Sequence, residues 1–369
     1  MRNQDTELLA KVCQDCVQCG ACRAVCPLHR LSRREEHAPR GKLKLYQAML
    51  NRQMPADRRV LRALIMCLLC GRCQKNCPSK LKVTEAFKQG RAWLVKKQFL
   101  PARLLGRVLL SSSLPRLMKP AWPLKKALSR GLKLRFKPLS QLPALRVSAL
   151  SFNERPGTGQ RIGLFVGCMA TYARPGLAEK AIDLLGQLGT VIPLAGCCGL
   201  AAQSAGEIGQ LRKAAQNFYN TCQQKNLDQV VTICTSCAHA LSQEHVKHLP
   251  ANAKLPPVVD ISQLLAENVS LVAGKAEGME AYLHLSCHLE ADQAQALKSW
   301  LQAAGVKITT IDACCGGGGL LPLAHPLISS KITPKLAHHN IPLVSTCSGC
   351  YLQWLQSANN KVLHPLELL

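Results

Sequence analysis

The sequence predicts an α+β chain: a helix-rich amino-terminal domain, a basic connecting segment, and two tandem duplicated small α/β domains. Three observations predict it. A run of four cysteines closed by proline occurs twice near the amino terminus. From Arg161 onward, short apolar runs alternate with helical stretches, the pattern of βαβ units around parallel sheets. Within that alternating region, one ordered set of five cysteines also occurs twice.

The first run is Cys16-Val-Gln-Cys19-Gly-Ala-Cys22-Arg-Ala-Val-Cys26-Pro27, and it returns as Cys67-Leu-Leu-Cys70-Gly-Arg-Cys73-Gln-Lys-Asn-Cys77-Pro78. Each reads C-x2-C-x2-C-x3-C-P, which resembles the run that holds a cubane [4Fe–4S] cluster in bacterial-type ferredoxins. Three close cysteines cap one face of the cube, and a fourth from elsewhere avoids straining the short loop. In two-cluster ferredoxins that fourth ligand comes from the other run. The resemblance therefore implies one cluster on Cys16, Cys19, Cys22 and Cys77, and a second on Cys67, Cys70, Cys73 and Cys26. Residues 1–90 are expected to form this bis-[4Fe–4S] ferredoxin-like domain, with helices around Leu43–Leu50 and Arg58–Leu64. Cys13 repeats the x2 spacing but falls outside the frame closed by proline, so it is expected to be a bystander.

Residues 91–157 read as a basic linker of short helices and connectors. The chain carries a formal charge of +26, and Ala86–Asn153 holds fifteen Lys or Arg and no Asp or Glu. Basic residues interleaved with apolar ones suit a linker laid over the protein's own surface, an anionic membrane surface or an acidic partner. No nucleic-acid partner is expected. No uninterrupted apolar run reaches the roughly 18 residues of a spanning helix; Leu104–Leu117 comes nearest and is broken by Arg107 and Arg116.

Residues 158–270 and 271–369 are the two α/β domains. In the first, strands are expected at Ile162–Val166, Thr190–Pro193 and Gln229–Ile233, with helices at Ala173–Leu188 and Glu207–Lys225. In the second, strands are expected at Ala281–Leu285, Lys307–Ile311 and Ile341–Val344, with a helix at Ala291–Ala304. Cys168, Cys197-Cys198-Gly199 and Cys234-Thr-Ser-Cys237 each follow a strand of the first domain, and Cys287, Cys314-Cys315-Gly316 and Cys347-Ser-Gly-Cys350 each follow a strand of the second. Sites in parallel sheets form outside the carboxyl ends of strands, so five thiolates should converge in each copy. Gly199 and Gly316 permit the turn that adjacent cysteines need. Five thiolates exceed one tetrahedral zinc and suit a multi-iron cluster. An iron–sulfur cluster, zinc and unmetallated redox thiols all remain open on chemistry alone.

The halves resemble the paired CCG domains (C…CCG…CxxC) of a family of iron–sulfur electron-transfer proteins. That family includes iron–sulfur subunits of glycolate oxidase, of lactate and glycerol-3-phosphate dehydrogenases, and heterodisulfide reductase catalytic subunits. Length, layout, Gly167-Cys168-Met169 and Pro193-Leu-Ala-Gly-Cys-Cys-Gly199 are most similar to glycolate oxidase iron-sulfur subunits. The resemblance implies additional clusters, noncubane [4Fe–4S] in heterodisulfide reductases, at the two five-cysteine sets. It implies an electron-transfer subunit with no catalytic residues of its own, fed by a flavin-containing dehydrogenase partner (FAD) and delivering to a quinone or another membrane acceptor. Lactate or glycerol-3-phosphate oxidation, disulfide reduction at a CCG cluster, and a zinc-stabilised scaffold are the competing expectations.

No flavin-binding fingerprint, Ser-His-Asp arrangement or paired carboxylates stand in the sequence. Gly316–Gly319 resembles a phosphate loop but lacks its Lys-Ser/Thr sequel, so cluster packing is expected. His239, His284 and His288 are expected to be structural, and Cys222 a core residue. Twenty cysteines at metal-ligand spacing, without a signal peptide, point to a reducing cytosol, with peripheral attachment at the cytoplasmic face of the inner membrane left open.

Overall fold

A computed structural model describes residues 6–97 and 153–369. Most of the basic stretch Ala86–Asn153 thus lies outside the described residues, as does Leu104–Leu117. The described residues gather into two compact units. One combines the amino-terminal region with Ala201–Ile208 and Ala313–Lys335; the other holds Gly209–Asp312, Leu336–Leu369 and the remaining described residues up to Leu200.

The amino-terminal unit is helical: α1 Glu7–Asp15, α2 Ala21–Val25, α3 Pro27–Ser32, α4 Pro39–Leu50, α5 Arg58–Ile65, α6 Arg72–Lys75 and α7 Val83–Lys97. Local chemistry starts several of them. Pro27, the residue closing the first cysteine run, occupies the first turn of α3, where its missing N–H costs nothing. Asp57 caps α5 by accepting from the N–H groups of Arg59 and Val60 at 2.8 and 2.9 Å. Leu9, Leu43, Tyr46, Val83, Phe87 and Leu94 bury the facing sides of α1, α4 and α7 in one core. Tyr46 stacks on Phe87 with ring centroids 6.0 Å apart. A second small core joins Leu28, Met66 and Leu68 to Leu321, bringing Ala313–Lys335 against the cysteine runs.

The other unit contains two four-stranded parallel sheets of the same topology. With β1 Gln160–Phe165, β2 Gly189–Leu194, β3 Gln229–Thr232 and β4 Val258–Asp260, the first has the order β2-β1-β3-β4. With β5 Glu280–His284, β6 Lys307–Ile311, β7 Leu343–Val344 and β8 Val362–Leu363, the second has the order β6-β5-β7-β8. Ile162 pairs with Val191 on one side and Gln229 on the other, so β1 is central; β5 takes that place in the second sheet. The edge strands β4 and β8 are not expected from sequence. They are two or three residues long, too short to display alternation. One core runs through both sheets and includes Ile162, Leu164, Val231, Leu283, Trp300 and Val344. Trp300 is fully buried, and its truncation to alanine should cost about 3–5 kcal/mol.

The helix expected at Ala173–Leu188 is observed at Pro175–Leu185, with Pro175 in its first turn, and a separate short helix, Gly167–Ala173, precedes it. The remaining expected strands and helices of this unit lie within two residues of their observed ends. No helix among the described residues is long and apolar enough to cross a membrane.

Candidate metal centres

The two amino-terminal runs adopt matching backbones. Gln18 and Leu69, each just before the second cysteine, are left-handed at φ 56° and 54°; Gly20 and Gly71 follow at 85° and 72°. The loops then pass into α2 and α6, which pack together, with the Asn76 amide donating to the Ala21 carbonyl at 3.0 Å. Two cavities of similar size result, about 410 and 430 Å³ with their open mouths. Cys16, Cys19, Cys22, Cys73 and Cys77 line one. Cys26, Cys67, Cys70 and Cys73 line the other. Burial pushes the Cys26 thiol up to about 11 and raises Cys22 and Cys73 as well. Such thiols keep their protons unless a metal ion takes the protons' place. The Leu69 N–H donates to Cys67 Sγ at 3.4 Å, and the Gln18 amide donates to Cys16 Sγ at 3.3 Å.

Cys13 stands apart from both cavities. It is buried in the α1–α4 core, its thiol donating to the Leu43 carbonyl at 3.4 Å. Cys222 is likewise buried, in the helix Ile208–Lys225.

The first five-cysteine set is brought together completely. Each group leaves the carboxyl end of one of three adjacent strands, β1, β2 and β3. Cys197 accepts hydrogen bonds from Cys168 and Cys198, which pull it down to about 3. Cys198 in turn neighbours Cys237, and Cys237 neighbours Cys234. Gly199 turns at φ +75°, and its N–H reaches Cys197 Sγ at 3.5 Å. At Gly167, an added Cβ would meet Cys237 Sγ at 3.2 Å, so the backbone must approach the sulfurs closely. His245, which the sequence did not single out, is buried with Nε2 2.9 Å from the Cys198 carbonyl oxygen.

The second set is distributed. Cys287, Cys347 and Cys350 belong with the sheets, whereas Cys314 and Cys315 belong with the amino-terminal unit. The local turn is the same: Gly316 has φ +83°, and its N–H lies 3.4 Å from Cys314 Sγ. Gly318 and Gly319 leave no room for a Cβ, which would fall 2.4 Å from the Leu68 carbonyl oxygen and 2.5 Å from that of Cys67. That glycine run is therefore packed on a cysteine loop. Cys314 hydrogen-bonds to Cys70, and this neighbour is the leading reason the Cys70 thiol is raised well above its usual value.

The two CxxC loops of the sheet-containing unit meet. The Thr235 N–H donates to the Thr346 carbonyl at 3.2 Å, and the two threonine hydroxyls lie 2.6 Å apart. The Ser348 N–H donates to Cys234 Sγ at 3.4 Å, and Ser236 Oγ lies 3.0 Å from Cys347 Sγ. Cys237 and Cys347 both donate to Cys234 and hold it well below the usual thiol range. His288 touches Ser236 Oγ at 3.0 Å and stacks on His239 at 4.6 Å, while His284 lies against Ser345 and Trp354.

None of the cysteines forms a disulfide, although many crowd together. Soft thiols, gathered four or five at a time, fit iron–sulfur clusters in their donor chemistry.

Comparison with known proteins agrees with this donor chemistry. Residues 12–81 match a 4Fe-4S dicluster domain, and residues 162–242 and 281–354 match the cysteine-rich domain family termed CCG. The chain is 24% identical to the probable glycolate oxidase iron-sulfur subunit of Bacillus subtilis, over 92% of this chain and 87% of that one. It is 26% identical to the glycolate oxidase iron-sulfur subunit of Escherichia coli, over 96% and 92%. It is 24% identical to a subunit of the CoM/CoB fumarate reductase of Methanothermobacter marburgensis, over 99% and 73%. The chain is a member of the family of iron–sulfur oxidoreductase subunits with a 4Fe-4S dicluster domain and two cysteine-rich domains, to which glycolate oxidase iron-sulfur subunits belong.

Proposed function

We propose that this chain is the electron-transfer subunit of a multisubunit glycolate oxidase, carrying electrons from a flavoprotein that oxidises glycolate to glyoxylate toward a quinone or another membrane acceptor. The observation that carries the proposal is the pair of thiol-lined cavities, one with Cys16, Cys19, Cys22 and Cys77, the other with Cys26, Cys67 and Cys70, and Cys73 lining both. A [4Fe–4S] cluster held by each quartet would supply a one-electron couple. The chain's own contribution is to aim N–H groups at the sulfurs, as Leu69 does at Cys67. The names of the Bacillus and Escherichia relatives support glycolate as the donor substrate of the complex. The basic stretch Ala86–Asn153 offers charge for approaching an anionic membrane surface. A further cluster is proposed at Cys168, Cys197, Cys198, Cys234 and Cys237.

Deleting this subunit from its complex should abolish glycolate-dependent quinone or dye reduction while the flavoprotein still folds. Undiminished reduction would refute the proposal.

A second reading, disulfide reduction at a cysteine-rich site, is favoured by one observation: the first five thiols form an unbroken network that continues to Cys347. Reoxidation of the reduced, isolated chain by an added heterodisulfide would support it, and no reoxidation would remove it.

A further inference from the structure

Among the described residues, two cations are sealed beside one cysteine quartet and none beside the other. Lys42 is 2% exposed and lines the cavity of Cys26, Cys67, Cys70 and Cys73. Its ammonium donates to the carbonyls of Glu36 and His37 at 3.0 and 2.8 Å, and the His37 carbonyl also lies 3.8 Å from Cys26 Sγ. Arg91 is 3% exposed and donates to the Cys67 carbonyl at 2.5 Å, to Ile65 at 2.9 Å and to Ser204 at 2.6 Å. Its Nε is buried without an acceptor. Neither cation has a carboxylate partner among the described residues. A buried cation without a counter-charge is costly, and a resident negative group beside it would offset that cost.

The other quartet differs. Arg40 reaches its loop, donating to the Gln18 carbonyl at 3.1 Å, but it is paired with exposed Glu35 at 2.5 Å. Arg23 shares the same carboxylate at 3.5 Å. Cys19 is exposed, so water also screens this site.

We propose that Lys42 and Arg91 make the centre on Cys26, Cys67, Cys70 and Cys73 the electron sink of the pair, with a midpoint potential above that of the centre on Cys16, Cys19, Cys22 and Cys77. This rests on the reading that both quartets hold [4Fe–4S] clusters. Adding an electron makes a centre one charge more negative, and an unscreened cation in a low-dielectric surround favours that state. One electron leaves the first centre and one arrives at the second; no cysteine bond breaks and no proton is required. The sink is also the centre whose ligand Cys70 touches Cys314, so charge collects at the cysteine loop of the second repeat.

The test uses the full chain, reconstituted anaerobically. Iron and acid-labile sulfide are counted first; a chain that binds neither defeats the cluster reading itself. EPR-monitored redox titration then compares wild type with Lys42→Met, Arg91→Met, Arg91→Lys and Arg40→Gln. Each Met variant should lower the higher midpoint, shifting electron partition between the centres roughly tenfold, equivalent to about 59 mV for a one-electron couple. Arg91→Lys should retain the wild-type value, and Arg40→Gln should move the lower midpoint by less. An unmoved higher midpoint in Met variants with full iron, or a shift of the lower one instead, overturns the proposal. If the Met variants do not load iron, the order is read without them: the first signal to appear on reduction must be the one that Cys314→Ser perturbs. A response confined to the second signal overturns it equally.

Discussion

The two cysteine-rich halves carry one motif order and use it differently. In the first, all five thiols belong to one unit and form a connected network. In the second, Cys314 and Cys315 group with the amino-terminal runs, and Cys287, Cys347 and Cys350 with the sheets. The CCG turn itself is the same in both, with Gly199 at φ +75° and Gly316 at +83°. Its surroundings are not: Gly199 faces the side chains of Leu211 and Ala214, whereas Gly316 faces the backbone of Ser329. Local geometry is thus repeated while the packing partner diverges, and the divergence places the second turn beside Cys70.

The largest effects should come from the thiols. Cys197→Ser removes the hub of the first network and should release about four irons, leaving the EPR signals of the amino-terminal centres unchanged. Cys314→Ser should alter the signal of the centre on Cys67, Cys70, Cys73 and Cys26. If both variants gave the same spectrum, the contrast between the halves would be lost. Cys77→Ser should likewise abolish the signal of the centre on Cys16, Cys19 and Cys22 rather than that of its own run.

The glycines come next. Gly316→Ala places a Cβ 2.4 Å from the Ser329 carbonyl oxygen, and Gly199→Ala places one 3.0 Å from Leu211 Cδ1. Both also incur the left-handed cost of about 1–2 kcal/mol, but a leucine methyl can move and a helix carbonyl cannot. Denaturant unfolding should show the larger loss for Gly316→Ala.

His364 joins the halves, with Nε2 2.9 Å from the Ile233 carbonyl oxygen and Nδ1 accepting from the Leu366 N–H at 3.2 Å. Both bonds suit a neutral ring, and burial, with the Arg174 guanidinium nearby, holds its pKa down from 6.5 to about 3. The unfolded chain takes up a proton below 6.5 that the folded chain refuses. Its contribution is therefore complete above pH 6.5 and lost as pH falls toward about 3, at on the order of 1.4 kcal/mol per pH unit. His364→Gln should flatten that part of the stability–pH curve.

The smallest effect is expected at the exposed pair Lys307–Glu280, 2.6 Å apart on β6 and β5. The matching register in the first sheet is Gly189 opposite Gln160, with no ion pair. Lys307→Ala should leave the thermal midpoint unchanged; a clear drop would mean the second sheet depends on its edge charges as the first does not.

Much of the site was legible because its ligands come in short runs. The spacing from Cys16 to Cys26 and from Cys67 to Cys77 is itself the loop geometry. Strand and helix order was legible from apolar periodicity, except at β4 and β8. Lys42 and Arg91 left a weaker trace: each sits on the apolar face of its helix, Lys42 four residues before Tyr46 and Arg91 four after Phe87. Charge counting placed Arg91 in a basic surface stretch, yet it is buried, as is Lys88 beside Glu85 at 2.8 Å. His245, Thr235 and Thr346 left no trace, because their roles arise from partners 47 and 111 residues away.

Residue order alone thus dictated the ligand loops, the doubled α/β pattern and the soft-metal chemistry, since each depends on neighbours a few positions apart. Tertiary packing alone decided that Cys314 meets Cys70, that Cys234 meets Cys347, and that two cations are shut in beside one quartet. Those outcomes depend on which distant surfaces exclude water together, and no short-range spacing encodes that.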